Sequence, residues 1–318
     1  MKRSWYMRAA QINQYGGGEV IDVTDQATKP TPAAEQVLVE IRVVSLNPFD
    51  WKLREGLLKD NLPLKFPVTL AGDLAGIVAG VGEKVTKFHQ GDEVYGSAHV
   101  AGGGSGALAE FAVTDADRLA LRPVSIDFIA AAALPLVGVS AIQALEEELK
   151  LRPGQKILIH GGAGGIGSMT IQLAKHLGAY VATTVRGSDT KFASKLGADQ
   201  VINYQTEAFD RLLTSFDAIF DTAGVPLVKS ARVLSKGGKI VSMLGIDDEA
   251  LLRQAGLTGT AMNTRINTAR LDHLAALVDD GILLPQIDSS YPLTKIQDAF
   301  TKLETGSPQG KVVVEIKA

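Results

Sequence analysis

The segment richest in chemical possibility is Lys156-Ile157-Leu158-Ile159-His160-Gly161-Gly162-Ala163-Gly164-Gly165-Ile166-Gly167, in which Gly162, Gly164 and Gly167 satisfy a G-x-G-x-x-G spacing. Each glycine of such a turn has a physical task. One permits the tight turn, one lets backbone approach a pyrophosphate, and one allows close packing of helix on strand. The phosphate charge would sit at the positive end of a helix starting near Ile166. Glycine-rich turns also arise for purely structural reasons. Here, however, the motif follows an apolar strand, opens a helix and begins a run of βα units. We therefore read Gly162, Ala163, Gly164, Gly165, Ile166 and Gly167 as a dinucleotide cradle.

The end of the next strand, Ala182-Thr183-Thr184-Val185-Arg186-Gly187-Ser188-Asp189-Thr190-Lys191, selects the coenzyme. An NAD site places an acid there to accept from the ribose hydroxyl. This chain has Arg186 instead. Arg186, Ser188 and Lys191, following Thr184, supply donors and positive charge for a 2′-phosphate, which points to NADPH. The alternative is that Arg186 and Lys191 are ordinary solvated charges and Asp189 is the acid.

These groups need elements to position them. After Pro153-Gly154, short apolar strands at Lys156 to His160, Tyr180 to Thr184, Gln200 to Asn203, Phe216 to Phe220 and Lys239 to Leu244 alternate with helical stretches such as Ser168 to Leu177, which predicts a parallel sheet of βαβ units. The first 120 or so residues carry strand signals instead, at Val37 to Val44, Ala75 to Ala79 and Leu108 to Val113, separated by turn glycines. Phe128 to Leu145 is apolar but interrupted by Pro135, Gly138, Ser140 and Gln143, so a buried pair of helices is expected in place of a membrane span. The last fifty or so residues predict helix, strand, helix and a final strand at Lys311 to Ile316. By pattern alone this tail fits either unit.

Composition narrows the function classes. The net charge of −3, with Lys and Arg scattered along the chain, gives no basic stripe for nucleic acid. No cysteine is present, which excludes a disulfide framework, thiolate zinc sites and a catalytic thiol. His89, His99, His160, His176 and His273 lack ligand-like spacing and are read as surface or packing residues. The start of the chain lacks the pattern of a signal peptide, and a cytoplasmic location is expected.

Further segments carry a family likeness: Asn47-Pro48-Phe49-Asp50-Trp51-Lys52-Leu53-Arg54-Glu55-Gly56, Ala71-Gly72-Asp73-Leu74-Ala75-Gly76-Ile77-Val78, Gly91-Asp92-Glu93-Val94-Tyr95-Gly96, Phe216-Asp217-Ala218-Ile219-Phe220-Asp221 and Gly310-Lys311-Val312-Val313-Val314. With the glycine loop, they resemble the zinc-independent quinone oxidoreductases, the zeta-crystallin-like branch of the medium-chain dehydrogenase/reductases. The resemblance implies an α/β chain. A GroES-like β-rich catalytic domain, residues 1–125 and 268–318, would be interrupted by a Rossmann-type NADPH-binding domain, residues 126–267. That sends the tail to the first unit. A homodimer is also implied. Zinc-dependent relatives use a cysteine in the segment matching Asn47 to Asp50 and a Gly-His-Glu motif matching Ala71-Gly72-Asp73. Neither is present, so no metal is expected.

The implied reaction is hydride reduction of a quinone or of the activated double bond of an α,β-unsaturated carbonyl. Negative charge developing on the acceptor oxygen needs donors, and the resemblance points to Asn47 with Asp50, Lys52 and Tyr95 as neighbours. Relatives often have a tyrosine where this chain has Lys52, which can donate to substrate or coenzyme or be a surface lysine on a turn. Asp50 can serve to orient neighbours and Tyr95 to pack. Leu244, Gly245 and Ile246 match backbone that lines the nicotinamide, and Tyr204 a position near the adenine ribose phosphate. Two other readings are a reductase specific for one enoyl or alkenal metabolite and a non-catalytic NADPH-binding or structural protein.

Overall fold

The computed structural model describes residues 5–317, which form two compact units. The first contains the chain up to Leu136, Ile266–Asp279 and everything from Pro285, and the second contains Val137–Arg265 with Asp280–Leu284. The first therefore reaches eleven residues past the boundary expected after residue 125.

In chain order the first unit opens with β1 (Tyr6–Ile12), β2 (Ile21–Thr28), β3 (Gln36–Ser45), α1 (Pro48–Arg54), β4 (Val68–Thr69), β5 (Asp73–Val81), β6 (Glu93–Ser97), β7 (Phe111–Asp115), β8 (Leu119–Leu121) and α2 (Phe128–Ala132). After α3 (Pro135–Ile142) the second unit runs β9 (Lys156–His160), α4 (Gly165–His176), β10 (Tyr180–Val185), α5 (Thr190–Lys195), β11 (Gln200–Asn203), α6 (Phe209–Leu212) and β12 (Phe216–Asp221). It continues through α7 (Leu227–Val233), β13 (Leu234–Ser242), α8 (Glu249–Gln254) and β14 (Thr258–Ala261). The tail adds α9 (Thr268–Asp279), β15 (Ile287–Pro292), α10 (Ile296–Thr305) and β16 (Lys311–Glu315).

The first unit is built on a sheet ordered β15-β16-β3-β5-β6-β8, with β7 also on β3 and a smaller sheet β2-β1-β4. Val37, Val39, Ile41 and Val44 of β3, Leu74 and Val78 of β5, and Phe300 of α10 are buried in one apolar core. Register places the chemistry here. Ser45 at the end of β3 is opposite Val313 of β16 on one side and Asp73 of β5 on the other. The residues just beyond Ser45 therefore lie beside Lys311 and Asp73. The tail's last strand thus completes the first unit, and α2 packs on β3 and β5 because its alanines, Ala131 and Ala132, permit close approach. Asp280–Leu284 instead joins the second unit, where Gln172 exchanges two 3.0 Å hydrogen bonds with the backbone of Leu284.

The second unit is a parallel sheet ordered β11-β10-β9-β12-β13-β14. Apolar runs such as Ile157-Leu158-Ile159 are fully buried, as a sheet covered on both faces requires. The strand order reverses beside β9. In such sheets the carboxyl ends at this reversal form a ready binding crevice, and the glycine turn leaves β9 at that point. No helix among the described residues is long and apolar enough to cross a membrane.

Candidate functional site

The glycine turn links β9 to α4 over Gly161–Gly164. Gly161 has φ +80°, a conformation costly for any residue with a Cβ. A Cβ on Gly162 would lie 2.1 Å from Thr183 Oγ1, and one on Gly167 2.2 Å from the Gly161 carbonyl oxygen. Those two glycines are required by the protein's own packing. Gly164 differs, since its nearest neighbour would be 3.5 Å away. The space over Gly164 is open, which suits a ligand held against backbone. Gly164 caps α4 without a side-chain acceptor, so the first-turn amides, which a helix cannot satisfy internally, suit an anion.

At the end of β10, the Arg186 guanidinium pairs with Asp189, Nε donating to Oδ2 at 2.9 Å and Nη2 lying 2.8 Å from the same oxygen. Ser188 Oγ donates to Asp189 Oδ1 at 3.1 Å. Asp189 is 2% exposed. Its carboxylate is thus turned inward onto Arg186 and Ser188 and is not presented as an acid for a ribose. Lys191 is exposed on the first turn of α5, and Tyr204 is exposed just beyond β11 with its amide on the Val185 carbonyl. Thr184 is buried, its hydroxyl bonded to His160 Nδ1 at 3.0 Å while its carbonyl accepts from the amides of Gly161 and Gly162. It shapes the turn from behind. Beyond β13, Leu244 is exposed, Gly245 has φ +101° and Ile246 is half-buried.

His160 is fully buried between Thr184 and Ser230, with its ring edge-on to Phe209. Burial pulls its pKa down to about 4, so it is neutral packing at pH 7. A cavity of about 250 Å³ beside Lys150, Gln155, Asp217 and Lys239 is at the opposite, amino ends of β9, β12 and β13. It is remote from the glycine turn.

In the first unit, Asn47 is the N-cap of α1, Pro48 takes the first helical position, and Asp50 accepts from the Asn47 amide at 2.7 Å. Buried Arg54 anchors the other end of α1 through Glu304 at 2.7 Å and the Gly16 carbonyl at 3.0 Å. Asn47 is 5% exposed, and its side chain is held at both ends. Nδ2 donates to Asp73 Oδ2 at 2.9 Å, and Oδ1 accepts from Lys311 Nζ, which also donates to the Leu46 carbonyl at 2.7 Å. Burial raises the Asp73 carboxyl to about 6 against the opposing pull of Lys311, and burial lowers the Lys311 ammonium against Asp73 and Asp50. Asp50 Oδ1 is buried and faces His99 Nε2 at 3.6 Å. His99 Nδ1 accepts from the Ala101 amide at 3.0 Å, which places the ring proton on Nε2.

The structure therefore brings Asn47 and Asp50 into one cluster with three residues not offered as site residues from sequence: Asp73, Lys311 and His99, the last read as a surface or packing residue. A signal existed for two of them. Asp73 lies within the otherwise apolar segment Leu70 to Val78, and Lys311 directly precedes the apolar run Val312 to Val314. Lys52 is half-buried on α1 with its ammonium 5.7 Å from the Trp51 ring. Tyr95 is placed outside this cluster. It is fully buried, its hydroxyl donates to the Leu271 carbonyl at 2.6 Å, and burial pushes its pKa upward. Its single proton is directed to the backbone, the arrangement that the packing alternative for Tyr95 calls for.

Residues 33–124 match the family described as alcohol dehydrogenase GroES-like domain, and residues 196–314 match the family described as zinc-binding dehydrogenase. Among the described residues, no group of three or more His, Cys, Asp or Glu could hold a metal ion. The chain is 35% identical to the chloroplast envelope quinone oxidoreductase homolog of Arabidopsis thaliana, over 97% of this chain and 98% of that protein. It is 35% identical to the NADPH-dependent alkenal/one oxidoreductase, chloroplastic, of the same plant, over 97% of this chain and 79% of that protein. The quinone oxidoreductase from Coxiella burnetii superposes with a TM-score of 0.89 at 32% identity, covering 98% of this chain and all of that one. The chain belongs to the medium-chain dehydrogenase/reductase superfamily, among its quinone oxidoreductases and alkenal/one oxidoreductases.

Proposed function

We propose that this chain is an NADPH-dependent reductase that adds hydride to a quinone or to the β-carbon of an α,β-unsaturated carbonyl. The observation that carries the reading is the turn at the carboxyl end of β9, where Gly164 leaves room that the protein does not itself use, with Arg186 at the end of the adjacent strand. The named relatives, quinone and alkenal/one oxidoreductases, supply the acceptor class.

The cradle residues Gly162, Ala163, Gly164, Gly165, Ile166 and Gly167 hold the pyrophosphate against backbone. Arg186, Ser188 and Lys191 take the 2′-phosphate, Tyr204 lies on the adenine side, and Leu244, Gly245 and Ile246 line the nicotinamide. NADPH supplies the hydride when bound. Asn47 donates its second Nδ2–H to the acceptor oxygen on which negative charge develops, and Lys52 adds a cation nearby. The donor set suits metal-free chemistry, because the chain has no cysteine and its described residues offer no ligand group. A homodimeric assembly and a cytoplasmic location go with this reading; light scattering and cell fractionation test them.

The deciding experiment follows NADPH oxidation with a small quinone, an enone and a simple aldehyde in parallel. Turnover with either of the first two, none with the aldehyde, and a rate unchanged by chelator are expected. NADPH binding without turnover on any acceptor would instead favour a non-catalytic binder.

A further inference from the structure

Lys311 opens a strand whose next three residues, Val312, Val313 and Val314, are completely buried, and is itself only 4% exposed. Its ammonium donates to the Leu46 carbonyl at 2.7 Å and to Asn47 Oδ1. The same Asn47 side chain gives one N–H to Asp73 Oδ2 at 2.9 Å, and that oxygen also accepts from the Leu136 amide at 3.2 Å. One carboxamide thus joins a buried cation to a buried anion. An apolar side chain in that strand would avoid the desolvation of an ammonium, so the cation is not what simple packing would select.

An amide has two orientations of similar shape. Here Lys311 demands oxygen at one end and Asp73 demands nitrogen at the other. A cation on the oxygen also withdraws charge from the nitrogen, which strengthens the remaining N–H as a donor. We propose that Lys311 is a positioning residue for the reduction, fixing and polarising the Asn47 carboxamide so that its second Nδ2–H meets the acceptor oxygen. This rests on the reading that Asn47 faces that oxygen.

The charges that act on the ammonium are those of Asp73 from β5 and Asp50 from α1, with His99 from the segment after β6 behind Asp50. Losing the cation removes the interaction that opposes burial at Asp73, so the proton on Asp73 is held to higher pH.

The test compares wild type, Lys311→Met, and the double variant Asp73→Asn with Lys311→Met. For Lys311→Met we expect kcat with quinone or enone to fall at least about tenfold, the loss of one well-placed donor being typically larger still. The Kd for NADPH, measured by fluorescence titration, should stay within about twofold, and the acid limb of the kcat profile should move to higher pH. The double variant removes the buried Lys311–Asp73 charges together, so its melting temperature should recover relative to Lys311→Met while kcat stays low. A purely structural part for Lys311 predicts that kcat returns with the melting temperature, and that result overturns the proposal. So does wild-type kcat with an unmoved pH profile in Lys311→Met. If that single variant does not fold, the double variant decides. Failure of the wild type to turn over any quinone or enone would instead overturn the functional reading itself, and this inference with it.

Discussion

Arg186 shows how one residue can be correctly located from sequence yet incompletely understood. Its place at the end of the second strand of the βα run was legible because an acid is ordinarily required there for NAD. Its partner was not. Asp189 had two possible orientations, toward a ribose or back onto the arginine, and only the fold decides between them. The 2.8 Å pair holds the guanidinium in place and removes the acid that would favour NADH. Charge-assisted hydrogen bonds contribute about 1.5–3 kcal/mol each. Arg186→Gln should therefore raise the Kd for NADPH by roughly 10- to 100-fold. The Kd for NADH, which has no 2′-phosphate, should change by no more than about twofold, as titration of the intrinsic fluorescence of either coenzyme would show. Equal losses for both would remove Arg186 from the phosphate site. Asn47 teaches the converse lesson. Its part came from resemblance alone, because the bonds that constrain it come from Asp73 and Lys311, 26 and 264 positions away, and no local pattern encodes such a meeting.

Elements with a strong internal period were the legible ones. β9 and β11 coincide with the expected apolar runs, and Phe128 to Leu145 does contain α2 and α3. Other elements escaped. The seven-residue helix α1 is too short to show helical periodicity, and it forms because Asn47, Pro48 and Asp50 cap it while Arg54 ties down its end. β13 begins at Leu234, five residues before the expected start, because Leu234 pairs with Phe216 ahead of a register shift that spans the Lys-Gly-Gly stretch, and the regular ladder resumes at Lys239, where the apolar pattern starts. β14 was missed for a similar reason, since Thr258-Gly259-Thr260-Ala261 carries little apolar weight. The glycine turn was legible as a motif, but the sequence did not separate the glycines the protein needs from those a ligand needs. The structure assigns Gly162 and Gly167 to the protein's own packing and leaves the space over Gly164 open. Gly167→Ala drives a Cβ to 2.2 Å from a backbone oxygen that cannot yield cheaply, so it should destabilise the second unit by about 1–3 kcal/mol. Gly164→Ala has 3.5 Å of clearance and should leave the urea midpoint nearly unchanged while weakening NADPH at least about tenfold, since the added methyl occupies the ligand's approach. An unchanged Kd in Gly164→Ala would show that the pyrophosphate lies elsewhere.

At the scale of the whole molecule, the two units carry buried titrating groups of opposite sign. His160, in the second unit, has its pKa lowered to about 4 from 6.5 by burial, with Asp221 opposing. Between those values the unfolded chain takes up a proton that the folded unit refuses, so this unit loses stability as pH falls from about 6.5 toward 4. Asp73, in the first unit, has its pKa raised to about 6 from 3.8 by burial. The folded unit here holds a proton that the unfolded chain releases, so stability is lost as pH rises from 3.8 to about 6 and regained on acidification. Each shift corresponds to something on the order of 3 kcal/mol at full extent. The two effects can be read separately because both tryptophans, Trp5 and Trp51, belong to the first unit. Relative to Asp73→Asn, the wild-type unfolding transition followed by tryptophan emission should therefore move to higher urea as pH falls from 6 to 4, and relative to His160→Gln, NADPH binding, which reports the second unit, should be lost at lower urea over the same range. Asp73→Asn should flatten the first response and His160→Gln the second. If both transitions moved together to lower urea in the wild type, and neither substitution separated them, the buried charges would not be what sets the acid response of this chain.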